Sequence, residues 1–424
     1  MKSKIPLILF FIALSCNISY AQETFKAMFY NLLNFPLQEP VASRLNELEV
    51  VLTNYQPDLF MVCELNNISG ANMILNRMQQ NINANYAMAN FVLNSSDDNI
   101  GNQNDLQNII YYDNTKFSLE SQNEVTTIYR DFNHYVLKLN TVNQDSNPIL
   151  LNVIVAHLKA SSGTDNAALR YQMAQDLTTY LDTFSSSEYV LFGGDFNFYT
   201  NSENGFQEFL DTSNNITFID PANRIGSWHN NTNYIDVFTQ STRTTTALGG
   251  AAGGFDDRFD FILASENMQN NPELQFENGS YKVFGNNANT NCYNNAINST
   301  NCEGTDYSFA IRNALHNFSD HLPVTLNITT TGNILSIDEF EENVTSFKIL
   351  GTNIVKNQLK IKVNKKPTFA NYVSIYNTIG QLIETIFITE NEELNVNTTS
   401  YSNGMYYVAL NGINVKPLKF IKVN

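Results

Sequence analysis

The chain reads as an α/β domain whose sheets are covered on both faces, followed by a smaller all-β domain. Three observations carry this. Short apolar runs such as "DLFMVCEL", "PILLNVIVAHL" and "YVLFGGDFNF" have strand length without polar alternation, as strands buried on both faces require. Segments with apolar residues at helical spacing lie between such runs. From about Thr329 the texture changes to short strand patterns at regular spacing with turn residues between them. At 424 residues the chain exceeds one ordinary core, which agrees with two domains.

In chain order, the first 22 residues read as an export signal. Lys2 and Lys4 form its basic start, Ile5 to Leu14 its apolar run, and Ser19-Tyr20-Ala21 a small-x-small site for cleavage after Ala21. The run is too short to span a bilayer. "TFKAMFYNLL" is a strand. Val41, Leu45, Leu48, Val51 and Leu52 mark a helix that stops near Gln56-Pro57, and "DLFMVCEL" is a second strand. "NIIYYD", "PILLNVIVAHL", "YVLFGGDFNF" and "RFDFILAS" are further buried strands. Asp165 to Phe184 is a helix, with Leu169, Met173, Leu177 and Leu181 on one face. The run Gly249 to Gly254 reads as a flexible loop. In "NFSDHLPVTL" the alternation of Leu322, Val324, Leu326 and Ile328 predicts a half-buried strand. "NQLKIKVN", "NYVSIYNTIGQLIETIFI", "ELNVNTTSY", "GMYYVALNG" and "KPLKFIKVN" then suit a small β-sandwich. The domains are assigned to residues 23–330 and 331–424.

The net charge of -17 is unevenly placed. Residues 23–330 carry 13 Lys+Arg against 33 Asp+Glu, whereas residues 331–424 carry 9 against 8. An acidic first domain offers no broad basic stripe for a phosphate backbone, but it is compatible with divalent cations. Removal of the signal leaves Cys63, Cys292 and Cys302. Export favours a disulfide between Cys292 and Cys302 across their short Asn-rich loop, the alternative being two free thiols. Cys63, inside an apolar run, reads as a buried small hydrophobe.

Polar residues recur at strand ends. Asn31 and Asn34 sit at the end of the first strand, Glu64 ends the second, and His157 ends "NVIVAH". Asp195 and Asn197 end "VLFGGDFN", Asp260 lies in "RFDF", and Asp320-His321 opens the last strand. Singly, each has a plain reading; Ser319-Asp320 shortly before Pro323 is good turn chemistry. Collectively they point elsewhere, because ligands of α/β sheets gather at one end of the strands.

"FYNLLNF", "PDLFMVCELNN", "VIVAHLKAS", "GGDFNF", "RFDFILAS" and "FSDHLPV" resemble, in this order, the motifs of the endonuclease/exonuclease/phosphatase superfamily, the deoxyribonuclease I-like fold. The resemblance runs from about residue 24 to 328 and implies a four-layered α/β/β/α sandwich with its site at one rim. It implies Mg²⁺, Mn²⁺ or Ca²⁺ held by Glu64, with Asn31 and Asp320 in or near the same shell; hard oxygen ligands suit such ions. It further implies that Asp195 orients or deprotonates the attacking water and that Asn197 donates to the developing oxyanion. His321, oriented by Asp260, acts as general base or holds the scissile phosphate. His157 donates to phosphate or protonates the leaving group. In the nuclease branch the histidine matching His157 has a glutamate partner on a neighbouring strand; here Gln107 and Asn108 stand nearby instead. Arg170, in "ALRYQMAQ", is a candidate phosphate contact, the alternative being a surface cap.

The tail also carries a resemblance. "YVSIYNTIGQLIE", "YSNGMYYVAL" and the terminal "PLKFIKVN" look like the C-terminal sorting domain of the type IX secretion system, although "SFKILGTNIV" replaces its usual Pro-Asn-Pro segment. This implies a protein released or displayed outside the cell through that machinery, the alternative being a carbohydrate-binding or adhesion β-domain; the chain is expected to be a monomer. The expected function is a secreted, divalent-metal-dependent phosphodiesterase, foremost a nuclease acting on DNA or RNA. A sphingomyelinase-like or inositol-phosphate enzyme would use the same chemistry, and an inactive surface-binding protein would not need Glu64.

Overall fold

The computed structural model of the chain describes residues 22–38, 41–96, 106–335, 347–363, 372–388, 393–410 and 417–424. Residues 1–21, which hold the expected export signal and its cleavage point, lie outside them. The chain divides into two compact units, Met1–Ile334 and Leu335–Asn424.

The first unit begins β1 (Glu23–Phe35), α1 (Val41–Tyr55), β2 (Leu59–Leu65), α2 (Ile68–Asn81), β3 (Tyr86–Met88), β4 (Gln107–Asp113), β5 (Phe117–Val125) and β6 (Phe132–Leu139). It continues β7 (Leu150–His157), α3 (Thr164–Leu181), β8 (Tyr189–Asp195), α4 (Asn204–Leu210), β9 (Phe218–Ile219) and β10 (Asp260–Ser265). It closes with β11 (Gln275–Phe276), β12 (Lys282–Val283), α5 (Phe309–Phe318) and β13 (Val324–Thr330). One sheet has the order β11-β13-β1-β2-β4-β3, with β12 also on β13; the other runs β5-β6-β7-β8-β10-β9.

The inner faces of the sheets meet where β1 and β2 cross β7, β8 and β10. Helices roof the outer faces. On the first sheet α1 packs with α2 and α5, and Phe318 of α5 sits 5.3 Å from the Tyr30 ring. On the second, α3 packs with α4, whose Phe209 lies edge-on to Phe192 at 5.1 Å. The layers are therefore α/β/β/α, as the motif resemblance implied. Double coverage explains the apolar runs. β8 is buried at all seven positions, and Phe192 is ringed by Phe132, Phe196, Phe209 and Phe218. Truncating such a ring to alanine costs about 3–5 kcal/mol.

One expectation is corrected by the structure. β13 is buried on both faces rather than half-buried: Thr325, Thr329 and Thr330 are as enclosed as Leu326. The strand is interior, between β1 on one side and β11 and β12 on the other, so its hydroxyls face protein; Thr325 Oγ1 donates to Lys282 O at 3.2 Å. Hydrogen bonds hold the Gly249–Gly254 loop beside Asp320. Arg243 Nη1 donates to Leu248 O and Gly249 O, Ser241 Oγ donates to Ala251 O, and Gly254 N to Arg243 O.

The second unit holds β14 (Phe347–Ile349), β15 (Ile354–Val355), β16 (Gln358–Val363), β17 (Tyr372–Asn377), β18 (Leu382–Phe387), β19 (Glu393–Asn397), β20 (Gly404–Leu410) and β21 (Leu418–Lys422). A sheet ordered β14-β16-β19 and one ordered β15-β21-β20-β17-β18 contribute to one core, with Leu359, Ile361 and Val396 from the first and Val373, Val408 and Phe420 from the second. This is a small β-sandwich. Its β17–β18 turn is closed by Asn377 Oδ1, which accepts from Ile379 N and Gln381 N, with Gly380 in the left-handed region that glycine tolerates.

Candidate active site

Register places the chemistry. β7 and β8 pair His157 with Asp195, and β8 and β10 pair Asp195 with Asp260, so three functional side chains lie in one row across the second sheet. Neighbouring strands are ~4.8 Å apart, which sets the spacing of that row. In the first sheet Asn31 lies within β1, four residues before its end, Glu64 is the penultimate residue of the adjacent β2, and Asp320-His321 precedes β13 on the other side of β1. Between Asn31 and Phe35 the β1–β2 register shifts, and Leu33, Asn34 and Glu64 take positive φ angles of 48°, 51° and 55°. This bulge turns Asn34 N toward Glu64 Oε2, at 3.1 Å.

Gly193 lets the two rows meet. A Cβ there would lie 2.9 Å from Met61 Sδ, so glycine keeps β8 close to the opposite sheet. Asn31 Nδ2 thereby donates across the sandwich to Asp195 Oδ2 at 3.0 Å while donating to Glu64 Oε1 at 3.0 Å. His157 Nε2 stands 3.8 Å from Glu64 Oε1 and 3.7 Å from Asp195 Oδ2. His321 Nε2 stands 3.7 Å from the same Asp195 oxygen, and its Nδ1 is 2.7 Å from Asp260 Oδ2. The structure thus brings together Asn31, Glu64, His157, Asp195, Asp260 and His321. Asn197, with φ 54°, adjoins Asp195 and donates to Leu158 O at 3.4 Å. Asp320 Oδ2 accepts from Ala251 N at 2.6 Å, and Gly250 leaves space that a Cβ would close to 2.5 Å from the carboxylate carbon.

Burial dominates the electrostatics. It raises the Glu64 carboxyl, and Asp320 raises it further against the Asn31 hydrogen bond. Burial likewise raises Asp195; His321 opposes this, while Asp260 and Glu64 reinforce it. His157 is pushed well below its ordinary value by burial, then by the nearby charges of Arg130, His321 and Lys159. For His321, burial alone would lower the value, but Asp260, Asp195 and Asp320 hold it well above. Asp195 Oδ1, Asp260 Oδ1 and Asp320 Oδ1 are buried without a hydrogen-bond partner. Such atoms are costly unless something else satisfies them. Glu64–His157–Asp195 and Asp195–Asp260–His321 each present ligand atoms within 4.8 Å of one another. Paired carboxylates with unsatisfied oxygens fit a hard divalent cation.

Arg170 is not at the phosphate position expected of it. It is 1% exposed: Nη2 pairs with Glu203 at 2.7 Å, and Nη1 donates to Lys159 O and Ser161 O. With its donors committed inside the fold, it props the loop after β7. His157 Nδ1 is buried without a partner, and Asn108 Nδ2 bonds instead to Asp131 O, Asn133 Oδ1 and Val155 O. Cys292 and Cys302 form a disulfide, and Cys63 is buried and free.

Several neighbours carry no sequence signal of their own. The Gln240 amide lies 2.6 Å from His321 Nε2, and its Nε2 donates to Asp320 Oδ2 at 3.3 Å, so one side chain bridges the Asp320-His321 pair. Thr239 Oγ1 accepts from Phe259 N and Asp260 N. Arg258 forms a fully buried two-bond pair with Asp220 just before Asp260. Ser319 was legible beside Asp320; its Oγ donates to Asn31 O at 2.8 Å, which ties the last strand's opening to β1.

The first unit is thus a four-layered α/β/β/α domain in which a cluster of carboxylates and histidines forms where the two sheets meet. Residues 353–423 match the family model described as a secretion system C-terminal sorting domain. The chain is accordingly a secreted or cell-surface protein. Among the described residues no helix is long and apolar enough to cross a membrane. No curated protein sequence matches the chain. Among solved structures, it is similar to the human Nocturnin catalytic domain with bound sulfate, at 14% identity and TM-score 0.44, covering 72% of this chain and 94% of that one. It is also similar to TDP2 from D. rerio complexed with single-strand DNA product, at 13% identity and TM-score 0.46, covering 72% and 99%. A third is an endonuclease/exonuclease/phosphatase from Bacteroides vulgatus, at 12% identity and TM-score 0.46, covering 72% and 98%.

Proposed function

We propose that the chain is a divalent-metal-dependent phosphodiesterase acting on nucleotide phosphodiesters, delivered outside the cell by the type IX secretion machinery. The observation that carries this is the position of Asp195. One of its oxygens is shared among Asn31, His157 and His321, and the other is buried without a partner. Glu64, the one carboxylate of the set with appreciable exposure, would be the principal ligand of the cation; Asp320 lies outside the two ligand clusters, with Oδ2 taken by Ala251 N and Gln240 Nε2, and would bear on the ion by its charge. When bound, the cation supplies charge stabilisation for the non-bridging phosphate oxygens.

The protein groups divide the remaining work. Asp195 aims a water at phosphorus and takes its proton as the new P–O bond forms. Asn197 donates to the oxygen on which charge develops. Asp260 fixes the His321 ring so that Nε2 faces the phosphate, with Gln240 occupying that nitrogen until substrate arrives. His157, which burial keeps neutral, presents Nε2 as a hydrogen-bond donor to the leaving oxygen while charge builds there, and the proton that oxygen finally takes comes from solvent.

The test is hydrolysis of bis(p-nitrophenyl) phosphate by purified protein with added Mg²⁺, Mn²⁺ or Ca²⁺. Activity should require the ion and should fall by about 10²–10³ in Glu64→Gln, as for loss of one electrostatic group. Full activity in excess chelator, or wild-type turnover by the variant, would remove the metal mechanism.

A further inference from the structure

We infer, resting on the phosphodiesterase reading above, that this site engages one phosphate at a time: its substrate is a mono- or dinucleotide-sized phosphodiester, and Lys159 is the surface cation that anchors it.

Few positive charges of the first domain are free to meet a substrate. All thirteen Lys and Arg of residues 23–330 lie among the described residues. Six arginines are buried: Arg44, Arg130, Arg170, Arg243, Arg258 and Arg312 are each at most 5% exposed. They are tied into the fold; Arg44 and Arg312, for example, donate only to backbone carbonyls. Four more cations are paired with carboxylates: Arg77 with Glu49, Arg224 with Asp236, Lys116 with Asp58 and Lys138 with Glu120.

Lys26, Lys159 and Lys282 remain. Lys26 lies five residues before Asn31 on β1, about 17 Å away at ~3.4 Å per residue. Lys282 pairs with Thr325, four residues beyond His321, or about 13 Å. Lys159 lies two residues after His157 and is close enough to bear on that ring's protonation. Its Nζ donates to Ala160 O at 2.9 Å and stands 5.2 Å from the centre of the Tyr129 ring, against which Arg130 stacks at 4.8 Å.

A long strand needs exposed cations at successive phosphates, and this surface has one at the site, Lys159, with Arg130 buried behind it, amid a large excess of carboxylates. A single diester needs no more. The protein charge released against the substrate is then about one. Raising salt from 50 to 200 mM should weaken binding only about 3-fold, whereas six to ten phosphate contacts would weaken it about 10³–10⁵-fold.

The experiment measures kcat/KM of the full exported chain with Mg²⁺ on bis(p-nitrophenyl) phosphate, a thymidine dinucleotide and a 30-base-pair duplex, at 50 and 200 mM NaCl. Support is cleavage of either small diester with less than 5-fold salt dependence, and no more than comparable activity per bond on the duplex. Lys159→Gln should raise KM for the small diester by about 10-fold at nearly unchanged kcat, a split that a merely structural lysine would not produce. A duplex preferred by 10²-fold or more at low salt, with a steep fall at 200 mM, overturns the inference while leaving the phosphodiesterase reading intact. An unchanged KM in Lys159→Gln also overturns it. Inactivity on all three substrates would sink the phosphodiesterase reading and this inference with it.

Discussion

Replacing Asp260 by asparagine isolates one interaction. The carboxylate lies 2.7 Å from His321 Nδ1, both groups are almost wholly buried, and Asp260 N is held separately by Thr239 Oγ1 at 3.1 Å. Asparagine keeps the volume and the backbone bond and removes the charge. With charge centres about 4 Å apart and an effective dielectric of about 20, the lost attraction for a cationic imidazole is about 4 kcal/mol. Asparagine can still accept the Nδ1 proton, which restores roughly 1 kcal/mol. The net of about 3 kcal/mol corresponds to a fall of about 10²-fold in kcat, because each 1.36 kcal/mol is tenfold. The assay is kcat and KM on bis(p-nitrophenyl) phosphate with Mg²⁺, alongside a melting curve showing that the fold survives. The double variant Asp260→Asn with His321→Ala should be little worse than His321→Ala alone, because the carboxylate acts through that ring. A kcat within threefold of wild type, or losses that simply multiply in the double variant, would refute the reasoning.

Asp195→Asn should lower kcat by about 10²–10³ without unfolding the chain, and wild-type turnover from it would take Asp195 off the water-activating role. Asp220→Ala, by stranding the fully buried Arg258 guanidinium, should cost about 3–5 kcal/mol in denaturant unfolding. Burial would raise the Asp220 carboxyl, but the Arg258 charge and hydrogen bonds override it and hold it below the ordinary range. Its contribution is therefore fully present above about pH 4 and lost as pH falls through the depressed folded value, so the deficit of Asp220→Asn should shrink in acid. Reducing the Cys292–Cys302 bridge, with its sequence separation of 10, should cost about 2–3 kcal/mol, read as a lower melting temperature in a thiol reductant. Deleting residues 335–424 should leave specific activity unchanged and hold the enzyme in the periplasm of its native host; normal release would refute a sorting role for the tail.

Much of this was legible in the chain before any coordinates. Fully apolar strand runs announced sheets covered on both faces, because only such strands dispense with polar alternation. The change of texture after Thr329 marked the tail, and the strand-end residues Glu64, His157, Asp195, Asp260 and His321 stood out because apolar strands rarely end in so many functional groups. Arg170 was misplaced because a helix-face arginine looks the same in sequence whether it meets solvent or, as here, a buried Glu203. The period-two alternation of β13 predicts a half-buried strand but does not say what covers its other side, and here β11, β12 and β1 enclose its threonines.

By itself the sequence determined which side chains were available and roughly where each strand ends. Only the tertiary structure decided that they converge. Asn31 and Asp195 are 164 residues apart and meet at 3.0 Å because register aligns His157, Asp195 and Asp260 in one row and Gly193 lets the opposite sheet approach. Gln240, without a motif of its own, bridges Asp320 and His321 through the same packing. Register and inter-sheet distance are set by the summed packing of two sheets and five helices. No local stretch of sequence encodes them, whereas strand length and apolar pattern are local and can be read in place.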